Sequence, residues 1–175
     1  MIQEPVMLAL KVSAEVFVAA AMALSLAYAL EYPGKMQLDR STYVAIQRIY
    51  DPAFTLGRAI SESLGVILTF ALLLMTPGGT EQFNWVAAGF SSLIAMQAVY
   101  WTITYPVDKF WIHRSPAGHH ASRRFYGLSA TTEALALKEF ENLWPAWQQR
   151  WEISQIARAF FGFVSVVTIA VAVAM

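Results

Sequence analysis

Four stretches of the chain are apolar almost without a break, and the polar residues inside them fall on narrow stripes. They run from about Val6 to Leu30, Phe54 to Met75, Trp85 to Tyr105 and Glu152 to Ala174. Each reaches the roughly 20 residues that a helix needs to cross a hydrocarbon core about 30 Å thick. Backbone amides in lipid have no water to bond with, so these segments are helices and not strands. The pattern predicts an all-α fold: one domain over residues 1–175, a four-transmembrane-helix bundle with long connections at 31–53 and 106–151. A cleaved signal peptide is not expected. No Lys or Arg precedes the first run, Glu4 and Glu15 sit where a signal is uncharged, and the run is too long.

Both long connections carry helical patterns of their own. After the first span, "EYPGK" gives a Pro-Gly turn signal. Asp39 or Ser41 then caps a short helix on which Tyr43, Ile46 and Tyr50 recur at helical spacing. This predicts an amphipathic interfacial helix with its aromatic rings at headgroup depth. In the other connection, "TTEALALKEFENLW" reads as a helix that stops at Pro145, a residue suited to the first position of a new helix leading into the fourth span. Trp144, Trp147 and Trp151 share one face and read as an interfacial belt.

Composition agrees with a bilayer: 57% of residues are hydrophobic and 14% charged, against about 25% charged in a soluble domain. The absence of cysteine excludes disulfides, thiolate metal sites and thiol nucleophiles. Net charge is zero, but the basic residues are unevenly placed. Lys35, Arg40 and Arg48 lie in the first connection, and Lys109, Arg114, Arg123, Arg124, Lys138 and Arg150 in the third. The second connection, "TPGGTEQFN", has none. The positive-inside rule therefore puts both long connections in the cytoplasm and both termini outside. His113, His119 and His120 all fall in the third connection, with no carboxylate at ligand spacing and no histidine in any span. Neither a metal site nor haem is expected, and no nucleic-acid partner.

The informative residues are the polar ones within the spans, because a charge at mid-bilayer costs about 2.5–3.5 kcal/mol on insertion scales. Arg58 and Glu62 are four apart and share a face with Gly65 and Thr69. Gln155, Arg158, Gly162 and Ser165 form a stripe on the fourth span, and Gln97, Trp101 and Thr104 a face on the third that points toward Asp108. The first span offers Lys11, Glu15, Met22, Ser25 and Tyr32. At about 1.5 Å rise per residue, Arg58, Glu62, Gln97, Trp101, Gln155, Arg158, Ser25 and Tyr28 lie within roughly 12 Å of the cytoplasmic end. They are expected to meet there in a polar pocket. Lys11 and Glu15 fall toward the outer half. Small-residue ladders (Gly57, Ser61 and Gly65; Ala19, Ala23 and Ala27; Ala87, Ser91 and Ala95) permit close helix contacts or a homodimer.

Two guanidiniums beside one carboxylate, in a water-poor site lined by Trp and Tyr, suit a flat lipophilic molecule that carries or develops negative charge on oxygen. In that reading Glu62 is the proton acceptor and Arg58 and Arg158 hold the anion. Gln97, Trp101, Asp108, Trp111, Trp151, Gln155 and Tyr28 contact the ligand. A purely structural reading stands beside it. Arg58 and Glu62 form a self-contained i,i+4 pair, and both arginines lie near enough to the inner face to snorkel.

"LEYPGKMQLDRSTYVAIQRIYDPAF", "TYPVDKFW" and "RWEISQIAR" resemble, in content and order, marker segments of the anthrone-oxygenase-like family of small four-helix membrane proteins. Trp111, Trp151 and Arg158 match its pattern, while Asp108 stands where the family commonly has Asn and Gln155 where it has His. The resemblance implies oxidation of an anthrone-type polycyclic phenol to a quinone by O2 with no cofactor, in a bacterial-type inner membrane. Gln155 cannot act as a histidine base, which leaves Glu62 for that role. The alternative is a non-catalytic protein that binds a quinone, pigment or lipid, or packs within a larger membrane complex. Membrane lipid and a lipophilic small molecule are the expected partners.

Overall fold

The structure, a computed structural model, describes residues 3–50, 53–108 and 130–175. Its helices are α1 (Gln3–Lys35), α2 (Arg40–Tyr50), α3 (Ala53–Met75), α4 (Glu81–Val99) and α5 (Ala130–Ala174), with a π-helical turn over Tyr100–Thr104 directly after α4. Four helical segments are long and apolar enough to cross a membrane: Glu4–Lys35, Ala53–Met75, Glu81–Asp108 and Asn142–Ala174. They form an all-α four-helix bundle in which α1 packs on α3 and α5, and α4 packs on the same two.

Local chemistry places the helix ends. Gly79, at φ +80°, supplies the left-handed residue of the turn between α3 and α4. Thr80 then caps α4, its hydroxyl accepting from the Phe83 amide at 3.1 Å. Asp39 caps α2: Oδ2 accepts from the Ser41 amide at 3.0 Å, and Oδ1 from the Thr42 hydroxyl at 2.6 Å. The Ser41 and Thr42 hydroxyls and the Thr42 amide hold the Asp39 carboxyl down at about 2, from an ordinary 3.8. A lowered folded value means that the cap is complete above pH 3.8 and is lost as pH falls through about 2.

Two proline signals are overridden. α1 runs through Pro33 to Lys35, and α5 is one helix of 45 residues with Pro145 inside it. An interior proline costs about 3 kcal/mol. Trp144 and Trp151 flank Pro145 and are buried to 7% and 4% exposure. At about 1.5–3 kcal/mol for each large buried side chain, continuing the helix outweighs the break. Tyr43 of α2 faces protein. It is 1% exposed and packs edge-on to Trp144 at 5.6 Å, so α2 is pinned to the bundle end.

The interior is layered along the axis. Ala14, Leu72, Val86, Ile169 and Ala172 form an apolar layer at the end carrying the N-terminus of α1. Val18, Ala21, Leu93 and Met96 form the next, and Tyr28, Val107 and Trp151 an aromatic layer toward the other end. Tyr43 and Trp144 close that end. The register places the polar stripes between the second and third layers.

Helix spacing is set by a few small residues. Gly57 and Gly65 of the expected ladder do face α1, where an added Cβ would stand 3.6 Å from Leu24 and from Phe17 and Val18. Ala23 and Ser91, from the other ladders, are exposed. The tightest approach is Gly89 of α4, where a Cβ would meet Ile169 Cδ1 at 2.6 Å and Thr168 Oγ1 at 2.9 Å. The Gly89 carbonyl also accepts from the Ser165 hydroxyl at 3.0 Å. Gly89→Val is therefore expected to cost about 1–3 kcal/mol by overpacking, read as a lower melting temperature in detergent. Gly57→Ala should melt close to wild type.

Candidate functional site

Arg158 is the largest fully buried side chain among the described residues, at 0% exposure. α5 carries it on a buried stripe with Trp151, Gln155 and Ser165. Its Nη2 donates to Glu62 Oε1 of α3, a short ion pair. Glu62 Oε2 accepts from Gln97 Nε2 of α4 at 2.9 Å. One helical turn from Glu62, Arg58 places Nε 4.0 Å from Glu62 Oε1. Gln155 lies between the two arginines, its Oε1 3.5 Å from Arg58 Nη1 and 3.4 Å from Arg158 Nη1. Both guanidiniums lie against the Tyr100 ring, at 5.7 Å for Arg58 and 5.2 Å for Arg158. Three of the four spans thus meet at one carboxylate, and α1 presents the buried Ser25 at the same level by register.

The donors at this junction outnumber the acceptors. Arg158 Nε, Gln155 Nε2 and Ser25 Oγ are buried and make no hydrogen bond among the described residues. Two guanidiniums face one carboxylate. Arg158 forms its ion pair with Glu62, while Asp108 accepts from the Trp151 indole at 3.0 Å in the next layer. Such a cluster can hold one more oxygen acceptor, and an anionic one best.

At the cluster the side chains pack closely against one another. Arg58 and Glu62 are 8% and 5% exposed, and Gln155 is fully buried. A cavity of about 590 Å³ lies at the opposite end of the bundle, between the start of α1 and the ends of α3 and α5.

Of the residues expected at the site, Glu62, Arg58, Arg158, Gln97 and Gln155 come together. Tyr28 and Trp151 stand one layer away, edge-on at 5.1 Å, and Asp108 is tied to them through the indole. Trp101 is not at the cluster. It is 60% exposed, because the buried face of α4 and its π turn runs through Met96, Tyr100 and Thr104, and the next residue after Tyr100 turns outward. Its ring packs on Tyr105 and Tyr100 instead, at 5.2 Å each. Trp111 lies outside the described residues, as do His113, His119 and His120.

Tyr100 was not singled out in the sequence, although its spacing of four before Thr104 places it on the buried face. The π turn that begins there widens the helix beside the arginines, a distortion common at functional sites. A second unforeseen group lies nearer the bundle end. Tyr43 donates to Glu152 Oε1 at 2.7 Å, and Glu152 is fully buried. Burial, with the Glu152 carboxyl beside it, pushes the Tyr43 phenol above its ordinary value, so it remains a donor. Lys35 is 4% exposed, 2.6 Å from Glu31, with its ammonium over the Tyr28 ring at 4.7 Å.

Removing the shared carboxylate leaves buried guanidiniums unpaired, so Glu62→Met is expected to cost about 3–5 kcal/mol. Adding Arg158→Met should restore part of that loss. Melting temperatures of the single and double variants in one detergent check the sign of the coupling.

Comparison of the chain with family models, with curated proteins and with solved structures finds no match.

Proposed function

We propose that the bundle binds a membrane-dissolved, flat lipophilic molecule through an anionic oxygen, of phenolate or enolate type, at Arg58 and Arg158. The observation that carries this reading is the surplus of buried donors around Arg158, with Nε of that residue and Nε2 of Gln155 unpartnered. The oxygen would take those two donors, and the rings would lie against or replace Tyr100, which already covers both guanidiniums. Tyr100 is half-buried and the next residue, Trp101, is exposed on the outside of the bundle, whereas Tyr43, Trp144 and Trp151 close the bundle end. Access is therefore sideways, from the bilayer.

Binding is favoured over catalysis by the state of Glu62. One oxygen is committed to Arg158 and the other to Gln97. The oxygenase reading rests on the family resemblance and uses the same site in a second step. A substrate carbonyl oxygen that takes over Arg158 would free Glu62 to accept the carbon-bound proton, the C–H electron pair passing to that oxygen as it becomes the enolate. An anthrone then reacts with O2 to give the anthraquinone and one water.

A single experiment separates the outcomes, with 1,8-dihydroxyanthrone as probe and detergent-solubilised wild type beside Arg158→Lys and Gln155→Leu. Saturable quenching of tryptophan fluorescence, weakened roughly tenfold in each variant, is the expected result. O2 uptake above the spontaneous rate would add turnover to binding. Absence of saturable quenching would overturn the reading.

We further propose that the long connections face the cytoplasm and both termini the outside of a bacterial-type inner membrane, on the distribution of Lys and Arg. The chain has no cysteine, so single thiols report on this directly. Gly78→Cys should react with a membrane-impermeant maleimide on intact cells, and Gln37→Cys only after lysis.

A further inference from the structure

The cavity of about 590 Å³ is remote from the arginine cluster and carries both signs of charge on an apolar wall. Glu4, Met7, Leu8 and Lys11 line it from α1, Met75 from the last residue of α3 and Val173 from the last turn of α5. Because α3 and α5 end here, the cavity opens at the level where hydrocarbon gives way to headgroups. Its volume falls within the range of small-molecule sites, about 300–1,000 Å³.

Lys11 makes no ion pair among the described residues, although Glu15 lies one helical turn below it and Glu4 two turns above. Glu15, for its part, has Oε2 buried with no hydrogen bond among those residues. Glu4 and Lys11 are seven residues apart, about 10 Å along the helix axis. A helical side chain leans toward the N-terminus, and a lysine stem snorkels to the interface, so the ammonium rises toward Glu4. Glu4 leans the same way, so the cation and the carboxylate stand about 10 Å apart along the wall of one cavity. The complementary ligand places a phosphate and an ammonium between these two charges, joined to acyl chains that match Met7, Leu8, Met75 and Val173.

We propose that this cavity is a binding site for a phospholipid with a primary-ammonium headgroup, of the ethanolamine type. Lys11 takes the phosphate and Glu4 the ammonium. Glu4 selects against a choline headgroup, whose quaternary nitrogen has no N–H to donate. It also selects against lipids of net negative charge, which bring no cation to it. The site uses no residue of the arginine cluster, so it stands or falls independently of the function proposed above.

The test reconstitutes the full chain in nanodiscs of equal parts ethanolamine- and choline-headgroup phospholipids with identical acyl chains, then reads retained lipid by native mass spectrometry. Wild type is expected to retain one ethanolamine lipid over choline by roughly five- to tenfold, the discrimination of one charge-assisted hydrogen bond. Glu4→Gln should abolish that preference while lipid is still retained. Lys11→Ala should lower retention of both lipids, and so should Val173→Trp, which fills the cavity without touching a charge. Equal retention of the two headgroups by wild type would overturn the proposal. So would a preference that survives Glu4→Gln, or retention unaffected by both Lys11→Ala and Val173→Trp.

Discussion

A guanidinium with no access to water governs the rest of this bundle. Arg158 is fully buried on a helix otherwise suited to lipid, and the penalty for an unpaired charge there is several kcal/mol. Two neighbouring spans contribute to offsetting it: the Glu62 carboxylate from α3, and Tyr100 from the π turn that follows α4. Gln97 and Gln155 then fix the carboxylate and the paired arginines in orientation. The cluster therefore specifies which face of each helix turns inward, a decision that apolar residues leave loosely determined when both core and surroundings are greasy.

The same cluster is overbuilt for a structural role. A lone ion pair would need one cation and one anion, with the remaining donors satisfied. Here a second arginine lies within 4.0 Å of the same carboxylate, and buried donors on Arg158 and Gln155 go without acceptors among the described residues. Unsatisfied buried donors are costly, and the ligand oxygen proposed above would satisfy them. For the proposed ligand, the closed packing around them and the exposed Trp101 beside Tyr100 favour arrival through the lipid.

Much of this was legible in the sequence, and the reasons for the misses are specific. The four spans follow from length and apolarity alone, and the meeting of Arg58, Glu62, Gln97, Gln155 and Arg158 from the shared depth of their polar stripes. Their cost in lipid forces them to share one interior level. Trp101 was misplaced because the helical period was carried forward from Gln97, which sits at the margin of the buried face and reaches sideways to Glu62. Tyr100 and Glu152 escaped because an aromatic residue and a carboxylate near a span end are also what an interface displays. The prolines misled in the opposite direction. Local signals at Pro33 and Pro145 argue for breaks, and tertiary burial of Lys35, Trp144 and Trp151 overrode them. The charge pattern of the first turns of α1 gave no hint of the cavity, because only the fold brings Met75 and Val173 beside Lys11.

The most direct test of the central claim is native mass spectrometry of the protein extracted from its host membrane in a mild detergent, wild type beside Gln155→Leu. That substitution removes one donor and the bridge between the arginines while leaving every charge in place. The expected result is a small molecule of defined mass, bearing an acidic oxygen, on the wild-type protein and largely lost from the variant. Bare protein, or protein carrying phospholipid alone in both samples, would contradict it and leave the arginine cluster a packed structural seam.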